Sequence, residues 1–362
     1  MKTHRNFWIF GLISLVIFVG VFINLSGEKT TTNLKDFDFV LKEKVINDNN
    51  KFITESDVKH TDPIVNPHTH YTYNQMIEDL QALDDNYQSL VSTEVIGQSV
   101  DGRDLYAARL GYGDTEYLIH AATHAREYMT TNVVMNQLDT YSRAFVQNEK
   151  IDGFSARELL KEVSIYYVPM VNPDGVTLVQ EGAEALQNSE ELLAMNNGDT
   201  DFSHWKANAR GVDLNRNFST GWEDAHADTG EPGFQNYKGP EPMSEPEVQA
   251  LAGLIREHDF ELALAYHSSG EIIYYGQLLP DELERESIEL AQLMSEYTGY
   301  PIDTGGYGGM FSDWFVEETN RPNLTPEISP FVGPGPVPIE NFDWIWEQHK
   351  SIGLLFAQEL LK

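Results

Sequence analysis

From Tyr71 to Leu360 the chain alternates short apolar runs with longer stretches whose apolar residues recur every three or four positions. Few architectures satisfy that alternation: buried strands joined by amphipathic helices stack around a sheet. The expected fold is therefore α/β, a three-layer α/β/α sandwich with a central mixed, mostly parallel sheet. Tyr73, Met76, Ile77, Leu80, Leu83 and Tyr87 predict a helix over 73–87. Strands are expected at Thr93–Gln98 and Leu105–Leu110, turning at Asp101-Gly102, and at Tyr117–Thr123, Ile165–Val171 and Phe260–Tyr266. Helices are expected over 130–146 and 283–297, with one closing helix over 342–360. Ser244-Glu245-Pro246-Glu247 has the spacing of a capping box opening another, whose Val248, Leu251, Ala252 and Ile255 share a face. Residues 180–240 are acidic and loop-rich, and a stretch of that kind inside a compact domain is usually functional or mobile.

Composition narrows the function. Of 362 residues, 57 are acidic and 24 basic, a formal net charge of −33, so no basic face is large enough for a general nucleic-acid binder. There are no cysteines, which excludes a disulfide scaffold, a thiolate-ligated metal and a cysteine nucleophile. Lys2, His4 and Arg5 precede an apolar run from Phe7 to Ile23, which as a helix spans roughly 26 Å. Asn24-Leu25-Ser26-Gly27 is a poor cleavage site. The expectation is a short cytoplasmic N-terminus (1–6), a transmembrane signal anchor or signal peptide (7–25), a polar stalk or pro-segment (26–66) and an exported catalytic domain (67–362). This implies a membrane partner through the N-terminal segment, with secretion after signal cleavage as the alternative.

The chemistry gathers in a few motifs. His124-Ala125-Arg126-Glu127 follows a predicted strand, so both side chains can face one point, and His267 ends a second strand in the same way. Two imidazoles and a carboxylate suit zinc and leave a position for water. His120 is read as a core histidine. Pro169-Met170-Val171-Asn172-Pro173-Asp174-Gly175 reads as a strand entering a tight turn, and Arg210-Gly211-Val212-Asp213-Leu214-Asn215-Arg216-Asn217-Phe218 by itself as a solvated loop. Glu327 interrupts the apolar strand of Leu324-Thr325-Pro326-Glu327-Ile328, where a carboxylate is costly unless it has a role. No Gly-x-Ser-x-Gly elbow supports a serine mechanism, and Ser268 and Ser269 are expected to be strand-end hydrogen bonders.

In this order the motifs resemble the zinc carboxypeptidase family over residues 70–360. The Trp205-Lys206-Ala207-Asn208 segment and Tyr266-His267-Ser268-Ser269-Gly270-Glu271 are similar to its bacterial γ-D-glutamyl-diaminopimelate endopeptidase branch. The resemblance implies one Zn2+ per chain held by His124, Glu127 and His267, with Glu327 as general base. It implies Asn215 and Arg216 as the grip on a substrate carboxylate, and Tyr307, in a flexible glycine-rich stretch, as a lid. The family's oxyanion-stabilising arginine falls at Lys206, so either Lys206 or nearby Arg210 would serve. The implied substrate is a peptidoglycan stem peptide cut at γ-D-Glu–meso-diaminopimelate. A broad-specificity carboxypeptidase acting on ordinary peptides and an inactive wall-binding protein are the two alternatives.

Overall fold

The computed structural model describes residues 52–277, 279–306 and 308–362. The expected anchor and most of the stalk, residues 1–51, lie outside the described residues, as does Tyr307. Among the described residues no helix is long and apolar enough to cross a membrane.

Nine strands form one sheet: β1 (Val91–Gln98), β2 (Asp104–Gly111), β3 (Thr115–His120), β4 (Val163–Val168), β5 (Phe260–Ala265), β6 (His267–Ser268), β7 (Ile272–Tyr274), β8 (Ile302–Asp303) and β9 (Asn323–Ile328). Their order is β1-β2-β4-β3-β5-β9-β7-β8, with β6 also paired to β9. The sheet is mixed. β4, β3, β5 and β9 run parallel in its centre, and antiparallel pairs lie towards the edges.

Side chains on a strand alternate between faces, and the core divides accordingly. Tyr117, Ile119, Ile165, Tyr167, Leu262 and Leu264 pack with helices α1 (Tyr73–Tyr87), α2 (Met129–Gln147), α5 (Asp281–Thr298), α7 (Phe342–His349) and α8 (Ile352–Glu359). Leu118, Tyr166, Val168, Ala263 and Ala265 pack with α4 (Pro246–Glu257) and α6 (Phe311–Thr319). Helices thus cover both faces, which is the expected three-layer sandwich.

Several local expectations are corrected. Asn-Pro-Asp-Gly is no isolated turn but the start of α3 (Pro173–Glu181): Asn172 caps it by accepting from Gly175 N at 2.9 Å, and proline occupies its first turn. The Ser244 capping box does not form, because Glu245 is the N-cap and Ser244 Oγ bonds Glu245 Oε1 at 2.8 Å instead. The closing helix is two, α7 and α8. Gly353 N donates to Tyr141 Oη at 3.1 Å, and a Cβ there would lie 2.6 Å from the Tyr141 ring, so the backbone is pinned where one long helix would have passed. Finally, residues 52–66, read as stalk, belong to the folded unit: Ile53 and Val65 are buried, and Ile64 N and Val65 N donate to buried Asp139.

Candidate metal centre

Because β3, β4, β5 and β9 are parallel, their carboxyl ends share one edge, where α/β sheets hold ligands. The chain stays zipped beyond the strand ends. Tyr266 N donates to His120 O (2.9 Å), Ala121 N to Val168 O (3.0 Å) and Asn172 N to Ala122 O (3.1 Å). The 205–207 loop closes on this edge: Ala125 N and Arg126 N donate to Lys206 O and Trp205 O, each at 3.0 Å. Asn172 Nδ2 ties the two together through Thr123 O (3.3 Å) and Ala207 O (3.1 Å). Under the loop, Trp205 and Phe202 pack with Ala125 and Leu178 in a small apolar cluster of their own.

On this frame His124, Glu127 and His267 converge, their donor atoms all within 4.8 Å of one another. Glu127 Oε1 lies 2.9 Å from His124 Nδ1, and Oε2 lies 2.9 Å from His267 Nδ1. The two Nδ1 atoms are 3.0 Å apart. Adjacent ligands around a tetrahedral zinc stand roughly 3.3 Å apart, so the set needs to open by only a few tenths of an ångström. The fourth member is Asp213. Its Oδ1 is 3.2 Å from His124 Nε2, which holds the ring proton there and turns the Nδ1 lone pair inward. Two buried imidazoles aiming ring nitrogens at one carboxylate are a donor set for a cation, and this set can hold one zinc ion.

The local field is strong. Burial would lower the His124 pKa, but Glu127 and Asp213 outweigh it and raise it. Burial would raise Glu127, yet His124 and His267 hold its carboxyl well below the usual range. Asp213 is held well below in the same way by His124, then Lys206 and Arg216. Glu327 goes the other way: desolvation first, then the Glu127 charge, push its pKa up. His120 is a core histidine as expected, stacked edge-on against Phe311 at 4.2 Å, and burial lowers its pKa to about 3.

A cleft of about 220 Å³ opens over this point. It brings together His124, His267, Glu327, Lys206, Asn215 and Arg216, six of the residues singled out from sequence. Arg210 is not among them. Asn208 Oδ1 accepts from Arg210 N and Val212 N, closing a turn that sends the Arg210 side chain outward to Glu245, 3.6 Å away. Of the two cations considered, Lys206 is the one at the cleft. Asn215 is fixed by Phe311 N, which donates to its Oδ1 at 2.9 Å. Arg216 donates through Nη1 to Asn215 O, and its buried Nε has no acceptor among the described residues. A Cβ at Gly309 would stand 2.3 Å from Arg216 O, and its φ is +71°, so only glycine lets this loop close on the Asn215-Arg216 turn. Ser268 N donates to Glu127, and Ser269 Oγ accepts from Val332 N, as strand-end hydrogen bonders do.

Asn172 and Asp213 stood inside quoted motifs without a site role assigned to them. Asp213 carried a signal, two residues before Asn215-Arg216, but its partner is 89 positions away.

Residues 76–299 match the family model of the zinc carboxypeptidases. The chain is 36% identical over 300 residues to gamma-D-glutamyl-L-diamino acid endopeptidase 1 of Lysinibacillus sphaericus, covering 81% of this chain and 73% of the relative. It is 31% identical over 315 residues to the uncharacterised protein YqgT of Bacillus subtilis, covering 85% and 83%. Among solved structures, bovine thrombin-activatable fibrinolysis inhibitor superposes with a TM-score of 0.66 at 19% identity, over 82% of this chain and 98% of that one, a likeness of fold.

Proposed function

This chain belongs to the zinc carboxypeptidase family, and from that premise we propose that it is an exported hydrolase of peptidoglycan stem peptides, cutting the amide between γ-D-glutamate and a diamino acid. The observation that carries this reading is the pocket beside the metal centre. Beyond Arg216 its lining is hydroxyl-rich, with Ser312, Thr325, Thr304 and Tyr274, and among the described residues it contains no carboxylate apart from Glu327. Such a lining accepts a polar, zwitterionic side chain better than an aliphatic or aromatic one. The relative from Lysinibacillus sphaericus, named for that bond, supports the assignment. Export rests on the basic residues and apolar run of the N-terminal segment.

Bound zinc would act as a Lewis acid on the scissile carbonyl and acidify a water. The chain's own groups do the rest. Arg216, whose Nε has no partner among the described residues, and Asn215 hold the carboxylate of the diamino acid and set the carbonyl over the His124–Glu127–His267 plane. Glu327 takes a proton as the water oxygen bonds to the carbonyl carbon. It returns that proton to the nitrogen as the C–N bond breaks and the amine leaves. Its raised pKa suits a group that must hold and release a proton in one turnover. Lys206, whose charge acts on His124, Asp213 and Glu327 alike, faces the oxyanion.

The test is mass spectrometry of L-Ala-γ-D-Glu-diaminopimelate and matched ordinary L-peptides, with and without chelator. Chelator-sensitive cleavage at the γ-D-Glu bond, sparing the L-peptides, is expected; release of single C-terminal residues from ordinary peptides would overturn the substrate assignment. Glu327→Gln should still bind the peptide while turnover falls by at least about a thousandfold.

A further inference from the structure

Asn208 closes the Trp205-Lys206-Ala207-Asn208 segment and takes no part in the chemistry above. Its Nδ2 donates to Glu245 Oε2 (2.7 Å) and Glu247 Oε2 (3.2 Å), and its Oδ1 accepts from Arg210 N (3.0 Å) and Val212 N (3.1 Å). An amide has two N–H donors and two lone pairs, so none is left over. Turned over, it would set its carbonyl oxygen against two carboxylates, which leaves the side chain one orientation. All three residues are buried, and two buried carboxylates are costly unless their hydrogen bonds are secured. Glu245 is the N-cap of α4 and Glu247 lies in its first turn, above Val248, Leu251, Ala252 and Ile255, which fasten the helix to the core. Val100 N, in the β1–β2 turn, donates to Glu247 Oε1 at 3.1 Å. Glu245 N donates to Asn217 Oδ1, also at 3.1 Å. The start of α4 therefore holds both ends of the stretch 208–217, which carries Asp213, Asn215 and Arg216.

Resting on the reading above in which Lys206 faces the oxyanion, we propose that Asn208, Glu245 and Glu247 are positioning residues, a clamp that sets Lys206 at the metal centre. The near side of the lysine's loop is tied to the metal turn by Ala125 N and Arg126 N, and the far side by this clamp. Trp205 Nε1 donates to Asn208 O at 3.3 Å, and Ala207 is bonded to Asn208 directly, so a shift of Asn208 passes to both residues flanking Lys206. The Arg216 end has ties of its own, through Asn217 to Glu245 N and through Asn215 to Phe311 N. Asp213 N is held separately by Tyr237 O at 2.8 Å. Loss of the clamp therefore reaches the oxyanion and spares both the carboxylate grip and the metal ligands. An interaction made only in the transition state acts on kcat, so the clamp should be read there.

The test is steady-state kinetics of the zinc-loaded full chain on whichever of the two peptide substrates named above it cleaves, so that a wrong substrate assignment leaves the clamp testable. Asn208→Ala should lower kcat about 10- to 100-fold while KM and zinc affinity stay within about twofold. Glu247→Gln keeps the volume but turns an N–H towards Asn208 or Val100 N, and should lose kcat in the same way. It carries the test should Asn208→Ala fail to fold. Glu245→Gln can place its oxygen on Asn208 and its amide on Ser244 Oγ, and should keep kcat. In a Lys206→Ala background the two damaging substitutions should lower kcat by less than about twofold. Losses that add in full to that of Lys206→Ala, that fall equally on Glu245→Gln or that track zinc affinity overturn the clamp, as does an unchanged kcat. If neither peptide is cleaved, the substrate reading falls, and acetylation of Lys206 followed by mass spectrometry decides the clamp. Acetylation should be at least about threefold faster in the Asn208 and Glu247 variants, and an unchanged rate overturns the proposal.

Discussion

Because Asp213 Oδ1 lies 3.2 Å from His124 Nε2, the ring proton stays on that nitrogen and the Nδ1 lone pair faces Glu127 and His267. The same carboxylate accepts from Asn215 N and Asn236 N, both at 3.1 Å. Asp213→Asn therefore turns one of these acceptors into a donor facing an N–H. Competition with a chromophoric chelator should show zinc affinity reduced about 10- to 100-fold, and unchanged affinity would remove Asp213 from the site. His124 and His267 were legible in sequence because each follows an apolar strand, Glu127 because it stands three residues after His124, and Glu327 because it interrupts an apolar strand. The choice between Lys206 and Arg210 was not legible. They are four residues apart in a loop without periodicity, and only the Asn208 turn sends one inward and the other to Glu245.

The elements that hold the site work through their ends. Asn172 caps α3 and fastens the metal turn to the 205–207 loop, so its amide serves three segments at once. A cap alone is worth about 1 kcal/mol, and two further buried carbonyls would lose their donor in Asn172→Ala. That variant should lose about 2–4 kcal/mol in denaturant titration, and zinc affinity should fall with it. A stability loss with intact zinc affinity would mean that the cap alone matters. Gly309→Ala pushes on the backbone of Arg216 instead. Its expected signature is a raised KM with kcat much less affected, whereas equal effects on both would place the damage at the metal ligands. Helices and strands with a clear apolar period fell within a few residues of expectation. What escaped was punctuation: Asn-Pro-Asp-Gly serves turns and helix starts equally, and the break before Gly353 depends on Tyr141, 212 positions away.

Across the whole molecule, buried ionisable groups set how stability depends on pH. Burial lowers the pKa of His120 and of His349 to about 3, against about 6.5 in an unfolded chain. Below pH 6.5 the unfolded state takes up protons that the folded state refuses, so stability is lost as pH falls from 6.5 towards 3, about 2 kcal/mol per histidine by pH 5. Glu247, buried beneath Val100 N and Asn208, is pushed up to about 7. It acts in the other direction: the folded state keeps a proton that the unfolded state releases, and stability falls as pH rises from 4.5 to 7. His120→Leu removes one acid-sensitive group whose Nε2 has no partner among the described residues and whose Nδ1 meets Thr123 Oγ1 at 3.3 Å. Its unfolding free energy should change less between pH 7 and pH 5 than that of the unaltered protein, by about 2 kcal/mol; an unchanged slope would mean that His120 is not held neutral. At this scale the layers were legible from periodicity. Residues 180–240 were not, because their small Trp205–Phe202 cluster has no repeat to announce it.

His124 and His267 are 143 positions apart, and they meet only after β3 and β5 have paired across everything between them. An ion captured by both therefore reports that this long-range pairing is complete. During refolding, the moment of metal capture becomes a clock for the joining of β3 to β5, readable with a zinc dye before any substrate is added.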